Sequence, residues 1–147
     1  MNRSSEVGNV GPSINDVSQI DEIDMQMYQE NVIDHYKNPH NKKEMDDFTI
    51  KHKETNPLCG DEITLFLKID KGIVVDVSFV GDGCAISQAS ISMFSDKLKG
   101  MSVEDAKGLE DRDVFDLLNI PISHTRIKCA MLGLKTLRKG LEENKNA

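Results

Sequence analysis

The chain has 147 residues and a formal net charge of −7 at pH 7, with three cysteines and no tryptophan. That length fits one domain around a single core, and the acidic balance argues against a nucleic-acid binder, which needs a basic face for the phosphate backbone. No apolar run approaches the roughly 20 residues that cross a bilayer, and the opening "MNRSSEVGNVGPSINDVSQ" has no signal-type apolar block, so no membrane partner and a cytoplasmic location are expected.

Residues 1–22 are rich in Asn, Ser, Gly and Asp, with too few apolar groups to offset the entropy of ordering, and read as a mobile N-terminal tail. The domain proper is expected over 23–147. It opens with a helix in which Met25, Tyr28, Val32 and Tyr36 recur at spacings of three and four and form an apolar stripe. Asn38-Pro39 stops that helix, because the residue before proline is pushed out of the α region. "FTIKHKE" (48–54) reads as a first strand. In the second, Ile63, Leu65, Leu67 and Ile69 alternate with Glu62, Thr64, Phe66 and Lys68. Asp70-Lys71-Gly72 supplies a turn, and Ile73, Val75, Val77 and Phe79 then alternate with Val74, Asp76, Ser78 and Val80, which predicts an antiparallel hairpin. Helical spacing returns over 84–98, two short helices are expected at 102–108 and 111–118, and a last helix at 125–143 turns Ile127, Ala130, Met131, Leu134, Leu137 and Leu141 inward. Strands followed by a run of helices define an α+β fold.

All three cysteines fall at the ends of these elements. Cys59 lies on the approach to the second strand, Cys84 at a helix entrance and Cys129 in the first turn of the last helix. Unpartnered backbone N–H groups and the positive end of the helix dipole favour thiolate there, and Arg126 and Lys128 add positive charge beside Cys129. Gly60, Gly81 and Gly83 leave the backbone room to approach whatever the sulfurs hold. Cys59 and Asp61, two apart on a strand, share a face. Three thiolates and one carboxylate suit a tetrahedral zinc site or an iron–sulfur cluster. The spacing is not that of a compact Cys-x-x-Cys pair, so buried inert thiols stand beside the metal site as a reading of the residues alone. His124, five positions before Cys129, reads as a loop histidine or an auxiliary ligand. His35, His40 and His52 read as surface or packing residues, and "KNPHNKK" as a docking patch or a solvated turn.

Four blocks in order, "DHYKNPHNKK", "NPLCGDEITLFLKI", "FVGDGCAISQASISMFSDKLKG" and "TRIKCAMLGLKTLRKGL", resemble the IscU/SufU family of iron–sulfur cluster scaffold and sulfur-acceptor proteins over about residues 25–142. The resemblance implies a single domain with a three-stranded antiparallel sheet packed against helices. It places the site on Cys59, Asp61, Cys84 and Cys129, which would hold a transient [2Fe-2S] cluster or Zn2+. It also implies a cysteine desulfurase and recipient apo-iron–sulfur proteins as partners, and leaves a homodimer sharing one cluster as an open arrangement. Scaffold-type members resembling IscU carry a histidine immediately before the third cysteine, where this chain has Lys128, an ammonium with no lone pair to offer a metal. "RIKCA" instead resembles the zinc-containing SufU branch, yet the short interval from 84 to 129 lacks that branch's usual insertion. The expected function is a scaffold that builds a cluster and passes it to apo-proteins, with zinc-dependent sulfur transfer as the alternative. In that alternative Cys129 is the candidate sulfur acceptor and Arg126 a candidate orienting residue that orients or pairs with Asp61 or the partner.

Overall fold

The computed structural model describes residues 22–57 and 60–144, with side chains from residue 29 onward. The expected tail over 1–21 lies outside the described residues, and the first helix, α1, already includes Glu22 and runs to Lys37. Three strands follow: β1 at Ile50–Asn56, β2 at Asp61–Asp70 and β3 at Ile73–Asp82. They form one antiparallel sheet in the order β1-β2-β3, as expected for an α+β domain. The helices come after: α2 at Ala85–Leu98, α3 at Val103–Lys107, α4 at Asp111–Leu118 and α5 at Ile127–Glu143, the last entered through a 3-10 turn at His124–Arg126.

The β2–β3 turn has positive φ at both central residues, Lys71 (52°) and Gly72 (78°), the geometry that matches the right-handed twist of the flanking strands. Beyond it the simple alternation expected for β3 fails. Pairing passes from Lys68↔Asp76 to Ile69↔Val74, so Val75 is an extra residue on its strand and the inward face changes hands there. Val77 and Phe79 point inward as expected, whereas Val74 is buried and Ile73 and Val75 are exposed.

One face of the sheet carries Ile63, Leu65, Leu67, Val77 and Phe79 into a core completed by Ile91, Phe94 and Leu98 of α2 and Leu134, Leu137 and Leu141 of α5. Fully burying each such side chain contributes about 1.5–3 kcal/mol before chain entropy is charged against it. On the other face Phe66 is also buried, with Phe48 5.8 Å away and the Lys51 ammonium 5.6 Å over its ring.

α1 departs from its expected stripe. Val32 and His35 are buried, while Tyr36 is exposed; Met25 and Tyr28 lie among residues whose side chains are outside the described set. The reason is polar. The Ser92 hydroxyl of α2 meets His35 Nδ1 at 2.8 Å and accepts the His40 backbone N–H at 2.8 Å, which turns the 32/35 face toward α2. "KNPHNKK" is accordingly a clasp: His40 Nδ1 meets Asp96 at 2.5 Å, Asn41 donates to Ser95 and Asp96, and Lys42 donates to Gln88. His52 is mostly buried and pairs with Glu54 at 2.6 Å and Glu143 at 3.1 Å, tying β1 to the end of α5. Among the described residues no helix is long and apolar enough to cross a membrane.

Candidate metal centre

Three elements begin or end at one edge of the sheet, and each delivers one group. Asp61 opens β2 opposite Asn56, the last residue of β1. Its carboxylate is 1 % exposed, and Oδ1 accepts the Cys84 backbone N–H at 3.0 Å. Cys84 is the N-cap residue of α2 and makes no capping hydrogen bond with its own side chain, so Asp61, from another element, satisfies this amide at the helix entrance. The Cys84 sulfur lies 3.8 Å from Asp61 Oδ2. Cys129, in the first turn of α5, is fully buried, and Asn56 Nδ2 points at its sulfur from 4.0 Å.

Gly83 makes this closeness feasible. A Cβ there would stand 2.7 Å from Asp61 Oδ1 and 2.5 Å from the Ser87 hydroxyl, so any side chain would displace the carboxylate or the helix entrance.

The ligand atoms of Asp61, Cys84 and Cys129 all lie within 4.8 Å of one another. Groups bound to one tetrahedral zinc at about 2.0–2.3 Å sit roughly 3.3–3.8 Å apart. The Cys84–Asp61 pair is already in that range, and Cys129 needs only a small inward shift. Two soft sulfurs and a hard oxygen are a donor set for zinc or for iron with sulfide. Cys59, expected as the fourth ligand, lies outside the described residues.

Arg126, in the 3-10 turn, is exposed and reaches both described thiols. A hydrogen bond to Cys129, then electrostatic interaction with Cys84, hold its guanidinium above the usual arginine value. Its pairing is with sulfur rather than with Asp61, since the Asp61 carboxylate is buried and engaged by Cys84. His124 is exposed in the same turn. Lys128 is exposed and lines a groove beside α5. Asn56 is the residue that reading the sequence missed. The signal available in the sequence was its place just before Pro57 and three residues ahead of Cys59.

Fold and site together define a small α+β protein that gathers cysteines and one aspartate at the edge of a three-stranded sheet. Residues 27–146 match the NifU-like N terminal domain family, and the chain belongs to it. It is 40% identical over 132 residues to the zinc-dependent sulfurtransferase SufU of Bacillus subtilis (strain 168), covering 78% of this chain and 89% of that protein. It is 35% identical over 133 residues to the iron-sulfur cluster assembly scaffold protein IscU of Thermotoga maritima, covering 80% and 94%. Among solved structures, a proposed scaffold protein for the SUF system from Fervidobacterium islandicum AW-1 superposes with a TM-score of 0.63 at 29% identity, covering 79% of this chain and 97% of that one.

Proposed function

We propose that the protein is a scaffold for iron–sulfur cluster assembly: it builds a [2Fe-2S] cluster from iron and desulfurase-derived sulfur and passes it to apo-proteins. The observation that carries this reading is the convergence of Asp61, Cys84 and Cys129 within 4.8 Å, with Cys59 proposed from the sequence as the fourth donor. Iron and sulfide are the cargo, so the site must let go as well as hold. Asp61 suits that requirement, because a hard carboxylate is a poorer partner for a soft cluster than thiolate. Its bond to the Cys84 amide keeps the carboxylate in place whether or not cargo is present.

A second reading, zinc-dependent sulfur transfer, is favoured by one observation: Arg126 bears on Cys129 and Cys84. A guanidinium beside a sulfur stabilises thiolate, the nucleophilic form. In this reading zinc, when bound, keeps its thiolate ligands deprotonated. Cys129, once freed as a thiolate, attacks the outer sulfur of a desulfurase persulfide. The donor's S–S bond breaks, a new S–S bond forms on Cys129, and the electron pair leaves with the donor's thiolate.

The deciding experiment offers metal-free protein a cysteine desulfurase, cysteine and ferrous iron without oxygen, and then measures iron, zinc and acid-labile sulfide per chain. Near-equal iron and sulfide that exchange into an apo-ferredoxin support the scaffold. Retained zinc, no cluster and faster desulfurase turnover replace it with the second reading. Cys59→Ser, Cys84→Ser and Cys129→Ser should each lose metal to an equimolar chelator that leaves the wild type loaded; equal retention by all three overturns the shared site.

A further inference from the structure

Beside the metal centre, between the end of β1 and the outer face of α5, lies a groove of about 330 Å³. Asn56, Pro57, Met131 and Leu132 floor it, and Lys128 and Lys135 stand on its rim. Among the described residues no acidic side chain lines it, on a chain whose net charge is −7. The groove continues along the helix. A neighbouring hollow of about 270 Å³ shares Met131 and Lys135 with it and adds Arg138 and Lys139 of the next turn, with Asp111 and Glu142 also on its wall. Positions 128, 131, 135, 138 and 139 fall on one side of a helix by their spacing of three and four, so α5 presents a basic stripe with an apolar floor. The stripe starts at the site: Asn56, in the groove wall, is the residue whose amide faces the Cys129 sulfur. Among the described residues Lys135 pairs with Glu54 through a loose 3.7 Å contact, with its side chain half exposed, an arrangement that an incoming carboxylate can replace at little cost.

We infer that this groove docks an acidic segment of the cysteine desulfurase, with an apolar side chain on Pro57 and Met131 and carboxylates on Lys128 and Lys135. The inference rests on the proposed function, in which a desulfurase must bring its sulfur to this site. A segment lying along α5 toward Asn56 delivers whatever follows it to Cys129. Charge on the rim of such a surface acts mainly on encounter and register, and is weakened by salt. Docking also accounts for Lys128, since this lysine serves the partner at a position where a histidine would serve the metal.

The test measures the affinity of the purified desulfurase for the full-length protein at about 50 and 200 mM salt, a range over which screening of exposed charges grows markedly. The wild type, K128E/K135E and a control, K71E at the β2–β3 turn, are compared, with circular dichroism confirming that all are folded. The double variant should bind about tenfold more weakly or worse at low salt and lose most of its salt dependence, while K71E behaves as the wild type. If the double variant binds as tightly as the wild type, the groove assignment is overturned and the proposed function stands. Equal weakening by K71E also overturns it, because the effect is then one of net charge. A wild type that does not bind the desulfurase at all removes the proposed function and this inference together.

Discussion

Asp61 is where local structure and function meet. One carboxylate oxygen completes the amide at the start of α2 while the other faces the Cys84 sulfur, so the same residue sets the helix entrance and furnishes a donor. Gly83 guards that arrangement. Gly83→Ala would put a methyl group on the carboxylate, and overpacking of this kind typically costs about 1–3 kcal/mol. The variant should fold with a lowered midpoint in urea and lose metal to a chelator at least tenfold more readily; unchanged metal affinity would show that Asp61 is not held by this contact. That Asp61, Cys84 and Cys129 come together was foreshadowed by the family resemblance of their motifs, since sulfur and charge at element ends left inert thiols open as a reading of the residues alone. Asn56 was not legible in the same way. It is uncharged, and its relation to Cys129 exists only once β1 and β2 pair and α5 crosses their end.

Among the elements, α1 depends most on polar contacts. Its described buried face is narrow, Val32 and His35, and Ser92 serves it twice, at His35 and at the His40 amide. Ser92→Ala leaves both groups without this partner, one in a buried and one in a part-buried setting, which costs about 1–3 kcal/mol. Hydrogen exchange should show α1 losing protection first while β2 and α5 keep theirs; uniform loss across the fold would mean that α1 is not a separable unit. The sequence pattern placed this helix but misassigned Tyr36, because periodicity counts tyrosine as apolar and cannot see a serine on another helix recruiting the histidine beside it. The inversion at Val75 was hidden for a related reason. "IVVDV" is apolar at nearly every position, and alternation alone does not show which strand takes the extra residue.

For the molecule as a whole, the same histidine sets a pH dependence. Burial, then the neighbouring His40, lowers the pKa of His35 below 6.5, against the opposing pull of Asp96 and Asp34. Between that lowered value and 6.5 the unfolded chain binds more protons than the folded one, so stability falls as the pH drops through this window and is insensitive to His35 above it. Urea midpoints measured from pH 7.5 down to about 5 should decline for the wild type and decline less for His35→Gln; identical slopes would assign the titration elsewhere. The fold class was readable from the order of elements and the β2–β3 hairpin from alternation, while the three-stranded sheet was implied by the resemblance; the clasp over 38–42 needed the tertiary structure, since its partners lie on α2. The dispersal of the site along the chain has a consequence for synthesis. Asp61 and Cys84 leave the ribosome well before Cys129, and α5 seals the sheet only afterwards, so a growing chain exposes an incomplete set of donors. On the proposed function, a half-made molecule is therefore a poor trap for stray metal, and the ability to carry cargo arrives together with the completed core.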